Sequence, residues 1–95
     1  MSIQVQVTPS FIRYVKKLQD RDKLTLDEEV KVIMQNPRIG VQKKGDLSSI
    51  LVHKFKMNKQ EAVLAYRLEP SKENPEIIIL ILLGSHENFY RELKK

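Results

Sequence analysis

Two side chains near the end of the chain have the types and spacing for acid–base chemistry. His86 and Tyr90 lie four residues apart in the segment Gly84-Ser85-His86-Glu87-Asn88-Phe89-Tyr90-Arg91. An imidazole and a phenol brought to one spot at helical spacing can act as a general acid/base pair. The segment follows an aliphatic run, Ile77 to Leu83, and Gly84 and Ser85 can end a strand and open a helix. His86 is therefore expected at a strand-to-helix junction, at the mouth of a buried sheet. The same spacing fits a purely structural role equally well. Ser85 can be a helix N-cap, His86 and Glu87 first-turn residues, Phe89 and Leu93 the docking face, and Tyr90 a packed rim residue.

Cations gather elsewhere. From Lys43 to Lys59 the chain carries Lys43, Lys44, Lys54, Lys56 and Lys59 against one acid, Asp46. Lys54 and Lys56 alternate along an expected strand and so project from one face. Arg67 lies on the next strand, in a register the sequence does not give. Such a face can hold a phosphate backbone, or it can be the solvated side of an exposed strand. His53 shares the lysine strand but points to the other face, with Leu51, Phe55 and Met57; no chemistry is assigned to it. His53 and His86 lack a third ligand at metal-binding spacing, so no metal or cofactor is expected.

Together these parts match the needs of RNA cleavage. A base must take the ribose 2′-hydroxyl proton, an acid must protonate the leaving 5′-oxygen, and cations must stabilise the crowded phosphorane. His86 can be base or acid, Tyr90 can donate a proton or stack on a nucleobase, and Lys54, Lys56 and Arg67 can supply the charge. The chain contains no Gly-rich phosphate loop, no Gly-x-Ser-x-Gly elbow and no zinc spacing.

The elements that must position these residues are legible in outline. Ile3, Val5 and Val7 alternate with Gln4 and Gln6, which predicts a half-exposed strand. Thr8-Pro9 reads as an N-cap followed by proline at the first helical position, opening a helix to about Gln19 with Phe11, Val15 and Leu18 inward. Asp20 to Lys23 reads as a polar turn. Thr25 and Glu28 have the capping-box form, so a second helix is expected from Thr25 to about Gln35, with Leu26, Val30, Ile33 and Met34 inward. Asp27, Glu28 and Glu29 then fall in its first turn, where the dipole favours anions. Asn36-Pro37 stops it. Arg38 to Ser49 reads as a loop with Gly40 and Gly45 as turn residues. Strands follow at Ile50–Met57, Glu61–Leu68 and Glu76–Leu83, their short connections implying an antiparallel meander. His86 to Lys95 reads as a closing helix. The expected class is α+β in the order β-α-α-β-β-β-α, with the helical hairpin on one face of the sheet and the other face partly covered.

Composition sets the outer bounds. Ninety-five residues, 41% hydrophobic and 31% charged, fit a single domain, 1–95. The absence of cysteine removes disulfides and thiolate metal sites and suits the cytoplasm. The longest apolar run is too short to cross a bilayer. A net charge of +5 favours a polyanionic partner.

The element order and several local motifs resemble the RelE/ParE superfamily of bacterial toxins. The likeness rests on Thr8-Pro9-Ser10-Phe11, Lys16-Lys17-Leu18, Asn36-Pro37-x-x-Gly40, Lys54-Phe55-Lys56, Ala65-Tyr66-Arg67 and the ending Gly84 to Lys94. It spans essentially the whole chain. The ending Gly-Ser-His-x-x-x-aromatic is similar to that of the YafQ-like nucleases. The resemblance implies the toxin half of a type II toxin–antitoxin pair, with a cognate antitoxin as partner and operator DNA bound only through their complex. For the RelE-like branch it implies metal-independent cleavage of mRNA on the ribosome, with His86, Tyr90, Arg67 and Lys54 catalytic and Lys43, Lys44, Lys56, Lys59 and Arg91 binding RNA. For the ParE branch it implies a non-catalytic inhibitor of DNA gyrase. Many relatives read Gly-Asp-Tyr-Arg where this chain has Lys59-Gln60-Glu61-Ala62.

Overall fold

The computed structural model describes residues 3–42 and 49–85. Lys43, Lys44, Gly45, His86, Tyr90, Arg91 and the expected closing helix His86 to Lys95 lie outside the described residues.

The alternating N-terminus forms β1 (Gln4–Val7) and is followed by α1 (Pro9–Lys16) and α2 (Asp20–Gln35). Thr8 caps α1 as its sequence indicates: Phe11 N–H donates to Thr8 Oγ1 at 3.2 Å, and Pro9 occupies the first turn. α1 ends at Lys16 rather than Gln19, because the N–H groups of Lys17 and Leu18 turn back to the carbonyls of Tyr14 and Val15. Leu18 in this turn still packs against the core.

The start of α2 corrects the sequence reading. The helix begins at Asp20, where a polar turn was expected, with Gln19 as an extended N-cap residue. Asp20 and Asp22 supply the first-turn acids that complement the dipole. Thr25 therefore lies inside the helix, and its Oγ1 donates to the Arg21 carbonyl one turn back at 3.3 Å instead of capping anything. Leu26 and Ile33 are buried and Val30 packs on the core, but Met34 is 38% exposed and not an inward residue.

The chain then adds β2 (Val41–Gln42), β3 (Leu51–Met57), β4 (Gln60–Glu69) and β5 (Ile77–Ser85). β2 falls within the stretch read as loop; two residues are too few to show a period. The meander β3-β4-β5 is antiparallel as expected. β1 adds to it parallel to β5, giving one five-stranded sheet in the order β1-β5-β4-β3-β2. α1 packs on β5 and α2 on β3.

One irregularity ties the sheet to α1. Between Ala65 and Tyr66 the partners on β5 jump from Leu82 to Leu80, leaving Ile81 as a bulge. The Ile81 carbonyl accepts the Thr8 hydroxyl proton at 2.6 Å, while Thr8 N–H donates to Leu80 O at 3.1 Å. The residue that caps α1 thus also fastens it to the bulge.

The main core lies between helices and sheet: Phe11, Leu26 and Ile33 meet Leu51, Phe55, Leu64, Tyr66, Ile78 and Leu83. The opposite face carries a smaller cluster of Val52, Val63 and Ala65, all buried. That face, expected to be partly covered, is closed at its centre and exposed at Lys54 and Lys56. Among the described residues no helix is long and apolar enough to cross a membrane.

Candidate nucleic-acid interface

The register sorts the charged residues by face. Partners across an antiparallel ladder project from the same side. His53, Phe55 and Leu51 oppose Leu64, Ala62 and Tyr66 on the helix side. Val52, Lys54 and Lys56 oppose Ala65, Val63 and Glu61 on the other side. Arg67 follows Val63 and Ala65 at steps of two on β4, so it shares the face of Lys54 and Lys56. The register, unreadable in sequence, thus joins the three cations on one surface.

They do not converge on one point. Arg67 stands four residues along β4 from Val63, the partner of Lys54, which separates the two backbones by about 14 Å. Arg67 Nε lies 2.8 Å from Glu69 Oε1, a charge pairing that is off the direction of a hydrogen bond. Lys54 and Lys56 are two residues apart, about 7 Å along the strand. Val63 opposes Gly84 on β5, so Lys54, Val63 and Gly84 form one row across three strands. Ser85, the last described residue, pairs with Ala62 in the next row toward the β3–β4 hairpin. The backbone of Ser85 is therefore about 10 Å from that of Lys54, and His86 is the next residue in sequence. Glu61 stands opposite Lys56 and introduces a carboxylate at this end of the face.

Lys59 sits at the hairpin tip. Met57 pairs with Gln60, so Asn58 and Lys59 form a two-residue turn, with φ of 53° and 65°. Both values lie in the left-handed region, as a type I′ turn requires.

Two polar arrangements on the helix side were not identified as functional in sequence. His53 Nε2 donates to Glu29 Oε1 at 2.7 Å, and the imidazole stacks on Phe55 with ring centroids 5.7 Å apart. Because α2 starts at Asp20, Glu29 is mid-helix, away from the first turn, and His53 supplies its hydrogen-bond partner. A signal for this pair was available: Glu29 falls on the inward stripe of Leu26, Val30 and Ile33, where a carboxylate needs a partner.

The second arrangement unites two motifs. The fully buried Tyr66 donates its hydroxyl proton to Pro37 O at 2.7 Å and accepts from Gly40 N–H at 2.9 Å. A Cβ at Gly40 would lie 2.8 Å from Tyr66 Oη and 3.1 Å from Leu51 Cβ, so no other residue fits without displacing the phenol. Asn36-Pro37-x-x-Gly40 and Ala65-Tyr66 are thus two halves of one latch that fixes the path from α2 to β2. Burial raises the Tyr66 pKa above its ordinary value of 10.0, with the Gly40 hydrogen bond acting in the opposite direction. Among the described residues no three His, Cys, Asp or Glu side chains come together as metal ligands.

A five-stranded sheet with two helices packed against one side is a RelE-like fold. The chain is similar in fold to the toxin–antitoxin complex RelBE2 from Mycobacterium tuberculosis, with TM-score 0.73 and 17% identity over 90% of this chain and all of the matched one. It is similar to a double mutant of the E. coli toxin RelE in the free state, with TM-score 0.69 and 18% identity over 99% and 97% of the two chains. Similarity to the intact E. coli RelBE complex covers 88% and 96%, with TM-score 0.67 and 17% identity. The chain belongs to the family described as ParE-like toxins of type II bacterial toxin–antitoxin systems, whose pattern matches residues 5–94. No curated protein matches it significantly.

Proposed function

We propose that this toxin cleaves mRNA on the ribosome. The observation that carries the reading is the common face of Lys54, Lys56 and Arg67, with the Lys54 row reaching Gly84 beside the chain's path to His86. In this reading His86 takes the proton from a ribose 2′-hydroxyl. The freed oxygen attacks the adjacent phosphorus, the bond to the 5′-oxygen breaks, and a 2′,3′-cyclic phosphate remains. The departing 5′-oxygen receives a proton from a general acid, the role open to Tyr90 if that phenol does not stack on a base. Lys54 and Lys56 offset the charge that builds on the phosphorane. Arg67, whose backbone lies about 14 Å from that of Lys54 and whose side chain pairs with Glu69, serves a neighbouring phosphate and not the reacting one. The antitoxin partner follows from the family and from relatives solved as toxin–antitoxin complexes.

A second reading, a non-catalytic gyrase inhibitor, is favoured by one specific feature. Glu61 opposes Lys56 and places negative charge on the surface meant for phosphate. Induced expression separates the two. The nuclease reading expects translation arrest with cuts in ribosome-bound mRNA, both lost in His86→Ala. Gyrase-dependent DNA breaks, with His86→Ala still toxic, would establish the second reading instead.

A further inference from the structure

We propose that the tip of the β3–β4 hairpin is a separate RNA-phosphate contact, and that Lys59 is kept in a strained backbone conformation to provide its charge. The inference rests on the RNA reading above and extends it to a place remote from the reacting group. In a two-residue type I′ turn both positions have positive φ, and Asn-Gly is the preferred pair. This chain has Asn58 at the first position, as preferred, but Lys59 at the second, with φ of 65°. A lysine has a Cβ that disfavours this conformation, and glycine relieves it at no loss of contact. Strain of this kind persists where function requires the side chain.

The surroundings support a fixed point of contact. Lys59 is exposed. Arg21 Nη2, from the first turn of α2, donates to Asn58 Oδ1 at 3.1 Å and braces the turn. Arg21 is thus a positioning residue that adds positive charge beside the tip. Lys54, Lys56 and Lys59 follow one another toward the end of the hairpin. Three residues of strand from Lys54 to Met57 already span about 10 Å, so Lys59 meets a different phosphate from Lys54. Asp20 and Asp22 flank Arg21 in the first turn of α2, and Glu61 lies two residues beyond Lys59 on β4.

The test uses purified toxin and bacterial 70S ribosomes, either empty or programmed with an mRNA carrying a 2′-deoxynucleotide in the vacant A site. Binding is titrated against salt, and stability is read from urea midpoints. Lys59→Gly is expected to raise the urea midpoint, weaken binding several-fold and reduce the slope of log affinity against log salt by about 0.7 to 0.9, one phosphate contact. Lys59→Asn, which tolerates positive φ without charge, should weaken binding similarly. Lys59→Arg should bind as the wild type does. Equal loss on empty and programmed ribosomes assigns the contact to ribosomal RNA; loss only on programmed ribosomes assigns it to mRNA. A Lys59→Gly protein that binds with unchanged affinity and slope overturns the proposal and leaves the nuclease reading standing. So does one whose urea midpoint does not rise, since no strain is then being retained. Wild-type toxin that fails to bind either ribosome overturns both.

Discussion

The hydroxyl of Tyr66 holds the backbone between α2 and β2 at two points, and both are open to test. Tyr66→Phe keeps the ring but leaves Pro37 O and Gly40 N–H without their partner. It should cost about 1–3 kcal/mol in a denaturant titration. Gly40→Ala forces a methyl against the same phenol and should cost a similar ~1–3 kcal/mol by overpacking. The two effects should be less than additive in the double variant, because removing the hydroxyl relieves the clash. The phenol also sets an alkaline limit. Its pKa is higher folded than unfolded, so its stabilising effect is complete below pH 10 and declines as pH rises through the folded value. Tyr66→Phe should remove that part of the alkaline loss, measurable as a flatter stability curve above pH 10. On the same face of the sheet, Glu29→Ala should destabilise by about 1–3 kcal/mol by stranding His53. At this scale sequence was informative about residue type and poor about partners. Gly40 was legible as a turn glycine, but its steric conflict with Tyr66 requires two segments 26 positions apart to meet. Lys54 and Lys56 were legible as one face, and the placement of Arg67 needed the register.

Element boundaries followed local chemistry only where that chemistry had no competitor. Thr8-Pro9 opened α1 as read, because an extended threonine and a first-turn proline satisfy the same requirement. Thr25 had the same credentials and did not cap, since Asp20 and Asp22 already stabilise a start one turn earlier and Leu26 is buried either way. The double use of Thr8 gives an expectation for this scale. Thr8→Ala loses the cap of α1 and the bond to the Ile81 carbonyl together, and should cost about 1–2 kcal/mol with selective loss of hydrogen-exchange protection in α1. Thr8→Ser, which keeps the hydroxyl, should retain most of it. The parallel seat of β1 beside β5 was not legible, because parallel pairing between chain ends leaves no local pattern. β2 was not legible because its two residues are exposed and edge-paired.

At the scale of the whole molecule, fold and family do not by themselves name the target. The same α+β scaffold carries the type II toxin identity whether the toxin acts on RNA or on a protein. What the sheet adds is a distribution of charge: Lys54, Lys56 and Arg67 on one face, His53 and Glu29 paired on the other. Salt dependence should follow that distribution. Lys54→Gln and Lys56→Gln should each reduce the salt slope of ribosome binding by roughly 0.7 to 0.9. His53→Gln, on the opposite face, should leave the slope unchanged. The most direct measurement of the central claim is cleavage of mRNA on purified programmed ribosomes, with products mapped to single-nucleotide resolution. Wild-type toxin should cut in the A-site codon, the His86→Ala protein should lose that activity while melting at the same temperature, and a 2′-deoxy substitution at the cut site should block the reaction. Absence of cutting by the wild type, or undiminished cutting by His86→Ala, would contradict the account.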